Sequence, residues 1–271
     1  MKTFTKQLTW LFAGALVFSA SSAMAQIAGS QHDMTSANSQ NVTGTNDQVC
    51  VYCHTPHGAD TSEPGLPLWN KTLPAGTGYT RYSSTGTPSF DSTEADVGSV
   101  SLACLSCHDG TQAMDSVINL PGSGGWSLAG ANIDSGTSMT GTPVPMLGTD
   151  LSDDHPISIP YAAGGALATD PIGLFPGTLA DADFNKPYKA VINSQSIWWV
   201  DTPDGGNAGA RDKKDLPLYT RLEGATAEPF VECGSCHDPH NAGSQVAGQT
   251  VAFLRTDDNA ASQICVACHN K

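Results

Sequence analysis

Basic side chains are scarce in this chain. Twelve lysines and arginines face 26 aspartates and glutamates over 271 residues, a formal charge of −14. A surface with that balance repels nucleic acid and anionic lipid, which excludes roles built on neutralising phosphate. Apolar side chains are also few, at 39% of the chain, where soluble domains reach about 45–50% in counts that include glycine. The 28 glycines raise the total without adding anything to bury. Past Ala25 no stretch approaches the roughly 20 apolar residues that a membrane span requires. The interior must therefore be filled by something besides aliphatic side chains.

The first residues read as a secretory signal. Lys2 and Lys6 precede an apolar stretch from Leu8 to Ala20, and Ala23-Met24-Ala25 supplies the small residues of a cleavage site. Cleavage after Ala25 removes two lysines and no acidic residue, leaving 10 basic against 26 acidic residues, a charge of −16. No cysteine lies near that point, which argues against a lipid anchor. The expectation is an exported, soluble chain over 26–271, with 1–25 removed.

Every cysteine belongs to a Cys-x-x-Cys-His run: Cys50/Cys53/His54, Cys104/Cys107/His108, Cys233/Cys236/His237 and Cys265/Cys268/His269. This is the attachment signature of haem c. Two intervening residues place both sulfurs where they can form thioethers with the haem vinyl groups, and the adjacent histidine meets the iron from one face. Four disulfides, or zinc held by the cysteine pairs, would also use eight cysteines in an exported protein. Neither explains a histidine after every second cysteine. The expected cofactors are four haem c groups.

Four of the eight histidines lie inside these motifs, and His32, His57, His155 and His240 remain. Four irons each needing one further ligand match four spare histidines, which points to two histidines per iron. His57 and His240 each follow a motif histidine by three residues, in His54-Thr-Pro-His57 and His237-Asp-Pro-His240. The proline stiffens the turn, so the second ring can serve a neighbouring iron. His155 follows Asp153 and Asp154, and a carboxylate can fix the tautomer of a ligand imidazole. Met34, Met114, Met139 and Met146 are competing ligands, since haem iron also accepts Met/His pairs. Without methionine ligation the reduction potentials are expected to be low.

Between the second and third motifs, Asp109 to Glu232 is rich in Gly, Pro, Ser and Thr and shows no sustained helical period. The expected fold is mostly irregular coil, with a few short helices and minimal strand, wrapped around a stack of four haems that serve as the core. Short strands are expected at Val191–Asn193 and Val251–Leu254, and a helical turn over Ala260–Cys265. The Cys-x-x-Cys-His-x-Pro-His form occurs at the first and third motifs. That repeat suggests one domain with haem pairs near 50–108 and 233–269. Trp69, Trp126, Trp198 and Trp199 are expected to pack on haem faces or in local cores. Asn41-Val-Thr43 and Asn70-Lys-Thr72 match the glycosylation sequon.

The chain resembles the tetrahaem extracellular cytochrome nanowire family, the OmcE type. The resemblance is carried by Cys50–His57, Pro67-Leu-Trp-Asn-Lys-Thr72, Ser101–Gly110, Asp150-Leu-Ser-Asp-Asp-His-Pro-Ile-Ser158, Val231–His240 and Phe253-Leu-Arg255. These landmarks run in order along nearly the whole chain after Ala25. The resemblance implies little regular secondary structure, alternating parallel and T-shaped haem contacts, and a homopolymer joined head to tail. It further implies a histidine that completes an iron in the next subunit, for which His32, in the polar arm from Gln26 to Gln48, is the candidate. The expected role is extracellular electron transfer along a filament, by an electron carrier and not an enzyme, with minerals or electrodes as candidate acceptors. The alternatives are a monomeric periplasmic electron shuttle, and a small haem reductase with one open iron.

Overall fold

The structure is a computed structural model that describes residues 27–35, 48–86, 90, 92–114, 116–120, 146–163, 173–174, 177–202, 208–223, 226–241, 253–256 and 262–270. The proposed leader 1–25, the sequon Asn41–Thr43, most of the polar arm, Trp126, Met139, Val251, Ala252, Ala260 and Ala261 lie outside the described residues. Among the described residues no helix is long and apolar enough to cross a membrane.

Antiparallel sheet organises the stretch between the second and third motifs. The strands are β1 Ile159–Pro160, β2 Ala162–Ala163, β3 Gly173–Leu174, β4 Thr178–Leu179, β5 Tyr188–Ile192, β6 Gln195–Val200, β7 Leu216–Glu223 and β8 Thr226–Val231. Six of them form one sheet in the order β1-β8-β7-β6-β5-β3, and β2 pairs with β4 in a second, two-stranded sheet. The expectation of mostly irregular coil with minimal strand is corrected by these two sheets. Among the described residues three α-helices accompany them, α1 Ser99–His108, α2 Cys233–Cys236 and α3 Gln263–Cys268. The last falls three residues later than the helical turn expected over Ala260–Cys265.

Local chemistry accounts for the strands. Tyr188-Lys-Ala-Val-Ile192 and Gln195-Ser-Ile-Trp-Trp-Val200 are rich in β-branched and aromatic residues. Asn193 and Ser194 between them hold φ of 51° and 62°, the left-handed pair that a two-residue hairpin requires. Ile192 accordingly faces Gln195, and the register continues to Tyr188 opposite Trp199. β5 thus covers Val191 and Ile192 of the expected short strand and extends back to Tyr188. β7 and β8 carry Pro217 and Pro229 inside the strands. Proline there removes a ladder donor and hides a strand from sequence reading.

An antiparallel sheet can bury one face. Trp198, Val200, Leu216, Leu218 and Val231 of this sheet pack with Tyr161, Ala162, Phe184 and Ala267, the last in α3. Trp198 is therefore a sheet-core residue, and Trp199, next to it on β6, is buried against Tyr188. A second cluster, Tyr79, Val97, Leu102, Leu105 and Leu151, seats α1. A third, Met34, Tyr52, Cys107 and Met114, joins the first and second motifs. Each core thus abuts at least one cysteine motif.

Candidate functional site

Each Cys-x-x-Cys-His run closes one helical turn. The amide of His54 donates to the carbonyl of Cys50 at 2.8 Å, that of His237 to Cys233 at 3.1 Å and that of His269 to Cys265 at 2.8 Å. The second motif forms the last turn of α1. Residues i, i+3 and i+4 of a turn share one side, so the two sulfurs and the imidazole of each motif are presented together. A Cβ at Gly234, between the cysteines of the third motif, would overlap the Tyr219 hydroxyl.

Three motifs are then fastened by one repeated device. His54 bridges Trp69, His237 bridges Leu254 and His269 bridges Phe184, all antiparallel. In each, the residue after the bridge partner donates its amide to the second cysteine's carbonyl: Asn70 to Cys53 at 2.9 Å, Arg255 to Cys236 at 3.0 Å, Asn185 to Cys268 at 2.8 Å. The residue after the histidine donates back, Thr55 to Leu68, Asp238 to Phe253 and Asn270 to Asp183. The same partners also use their side chains. Asn70 Nδ2 donates to Val51 O at 2.7 Å, Arg255 Nε to Gly234 O at 2.8 Å and Asn185 Nδ2 to Val266 O at 3.0 Å, always the carbonyl just after the first cysteine. Leu68-Trp69-Asn70, Phe253-Leu254-Arg255 and Asp183-Phe184-Asn185 are thus structural equivalents. The first two fall among the landmarks of the resemblance. The third was missed from sequence, where its signal was a large aromatic residue followed by an asparagine, as in Trp69-Asn70.

Beside the first motif two buried polar side chains are tied down. Lys71 is buried, and its ammonium donates to the carbonyls of Ala113, Met114 and Ser116 at 2.8, 3.3 and 2.8 Å. Asn70 is 1% exposed, and its Oδ1 accepts from the Asn119 amide at 2.9 Å. The sequon at Asn70 is therefore closed to a glycosylating enzyme in the folded chain.

The motifs line up in chain order. Cys53 and Cys107 share an apolar cluster, joining the first to the second. The thiols of Cys104 and Cys233 hydrogen-bond one another, joining the second to the third. Cys236 feels the charge of Cys265, and Cys268 that of Cys236, joining the third to the fourth. Burial above all pushes the Cys53 thiol up to about 12, with Cys107 adding to it. Burial likewise raises Cys236 to about 11 and Cys268 to about 12. These sites accommodate neutral sulfur and oppose thiolate, which suits a thioether better than a zinc ligand. Among the described residues no group of three or more His, Cys, Asp or Glu side chains gathers as a metal-ion site.

Three spare histidines lie against motif histidines. His54 and His240 have ring centroids 6.0 Å apart, His32 and His108 6.1 Å, and His155 and His269 6.4 Å. An iron between two imidazoles needs metal–nitrogen bonds of about 2 Å on opposite sides, and a further ~1 Å from each nitrogen to its ring centre gives about 6 Å. The three pairs meet that spacing.

Two of these histidines have the tautomer a ligand requires. His54 Nδ1 lies 2.7 Å from the Pro67 carbonyl and His155 Nδ1 2.9 Å from that of Pro156. A carbonyl holds the proton on Nδ1, leaving the Nε2 lone pair outward. For His155 this group is a backbone carbonyl where the sequence suggested an aspartate. His240 Nδ1 has a carboxylate nearby, Asp238 at 3.6 Å. His32 stacks on Phe253 at 4.2 Å. Burial first, and His108 next, lower its pKa to about 4. It is therefore neutral at pH 7, and its Nδ1 is buried without a hydrogen-bond partner. At the first, second and fourth motifs the residues present fit a haem c group with two histidines.

His57 is exposed, and its carbonyl accepts from Thr55 Oγ1 at 2.9 Å and Asn119 Nδ2 at 3.0 Å. His237 is exposed beside its bridge to Leu254. Met34 and Met114 are buried in the cluster between the first two motifs, and Met146 is exposed. His32, the candidate for a subunit-crossing ligand, is placed over His108 of its own chain. No family model, curated protein or solved structure matches the chain.

Proposed function

We propose that the chain is a tetrahaem c-type cytochrome, an electron carrier, with one haem c at each cysteine pair and two histidines per iron. The observation that carries this reading is the set of three imidazole pairs at 6.0–6.4 Å, each joining a motif histidine to a spare one. The pairs assign His240 to the first motif, His32 to the second and His155 to the fourth. His57 and His237 remain as the fourth pair, the reciprocal of His54 with His240 between the two Cys-x-x-Cys-His-x-Pro-His segments.

Haem iron supplies a reversible one-electron couple. The residues determine what can be done with it. Two histidines holding each iron would leave no position for a substrate, which favours transfer over catalysis. Neutral nitrogen ligands without methionine keep the potentials low. Successive cysteine pairs adjoin one another, first to second, second to third and third to fourth, which supports a path in which an electron would have a neighbouring haem at each step. Cys50 and Cys265, in the terminal motifs, are exposed, while Cys107 of the second motif is buried. The line is thus open to the surface at both ends.

An end-to-end homopolymer outside the cell uses such a line most directly, and the resemblance to the nanowire family favours it over a monomeric shuttle. With His32 set against His108, the pairing that would cross between subunits is His57 with His237 of the next subunit, in place of a reciprocal pairing within one chain. Cryo-electron microscopy of the native exported protein tests this. An unbroken row of haems across subunit boundaries is the expected result. Separate particles would leave the periplasmic shuttle, and an iron with one vacant axial position would favour the reductase.

A further inference from the structure

The paired imidazoles differ in how their planes meet. His54 and His240 are 17° from parallel, whereas His32 and His108 cross at 74° and His155 and His269 at 62°. Rotation of an imidazole about its iron–nitrogen axis is soft, so groups around the ring decide its plane.

Those groups are specific at each site. At the first, Pro67 O fixes His54 Nδ1 and Trp69 meets the ring edge-on at 86° with centroids 5.8 Å apart. Asp238 lies beside His240 on the opposite side. At the second, His32 lies flat on Phe253, 14° from parallel. At the fourth, Phe184 meets His269 at 62° and 5.4 Å, and Phe184 is itself stacked on Tyr161 at 4.5 Å and 3°. Pro156 O holds His155 from the other face.

Resting on the haem reading above, we infer that the chain holds its irons in two axial geometries, near-parallel imidazoles at the first site and crossed imidazoles at the second and fourth. Phe253 and Phe184 are the positioning residues of the crossed sites. Parallel ligand planes interact with one of the two iron dπ orbitals and split them. Crossed planes interact with both and leave them nearly level. In the oxidised low-spin protein the first arrangement gives an ordinary rhombic electron paramagnetic resonance spectrum, and the second a single dominant low-field feature.

The test is that spectrum on the fully oxidised holoprotein, with haem content measured on the same sample. The expected result is a rhombic signal together with a low-field signal from at least two haems. In Phe253→Leu the low-field intensity should fall by the share of one haem, with four low-spin haems retained and the rhombic signal unchanged. The wild-type spectrum carries the test by itself if the variant does not accumulate. Four low-spin haems that are all rhombic, or a Phe253→Leu spectrum superimposable on wild type, would overturn the inference while leaving the cytochrome reading intact. A protein without covalent haem would overturn both.

Discussion

The imidazoles of His54 and His240, from opposite ends of the chain, stand 6.0 Å apart with their planes 17° from parallel. Two motifs remote in sequence would, in the cytochrome reading, contribute to one iron. In His240→Ala the first site should lose one axial ligand while its thioethers and His54 remain. Haem content is expected to stay at four, with one haem becoming high-spin by absorption and magnetic circular dichroism. Four low-spin haems in that variant would show that His240 is not the ligand.

Lys71 places its ammonium on three carbonyls beneath the first two motifs. Lys71→Met keeps the volume and removes all three donors. Unsatisfied buried acceptors cost about 1–3 kcal/mol each, so a loss of at least ~3 kcal/mol is expected in denaturant unfolding, with early amide exchange around Met114. A loss under about 1 kcal/mol would mean that water replaces the ammonium there.

Glu232 links the second and third motifs. Its Oε2 accepts from Ser101 Oγ of α1 at 2.6 Å and from Ser158 Oγ at 3.0 Å, and its Oε1 lies 3.4 Å from Arg221. Burial pushes this carboxyl up to about 7, more than the two serines and Arg221 pull it down. Between the ordinary value of 4.5 and about 7 the folded protein keeps a proton that the unfolded chain has released. Stability contributed by this group is therefore full below that window, falls as pH rises through it and levels off above it. The fall is about 3 kcal/mol at most. Thermal unfolding of wild type should show this decline between roughly pH 5 and 8, and Glu232→Gln should flatten it. Equal slopes in the two proteins would assign the decline elsewhere.

The cysteine motifs were legible because their spacing alone closes a helical turn with both sulfurs and the imidazole on one side. Count singled out the four spare histidines, but not that His32, His155 and His240 lie beside His108, His269 and His54. Pairing His54 with His240 depends on long-range packing that no local pattern records. The sheet was hidden for two reasons. Pro217 and Pro229 sit inside β7 and β8, and the hairpin at Asn193-Ser194 lacks the glycine that marks most such turns. The fastening of Asn185 to the fourth motif was hidden because the device is defined by backbone pairing, while the residues before the donor differ, Leu68-Trp69, Phe253-Leu254 and Asp183-Phe184.

The central claim is that these eight cysteines carry four covalent haems. It is tested most directly by the intact mass of the denatured protein, purified from a host that matures c-type cytochromes. The expected mass is that of the polypeptide plus four haems, with no free thiol reacting with alkylating reagent. A mass equal to the polypeptide alone, with eight alkylated cysteines or four disulfides, would contradict it.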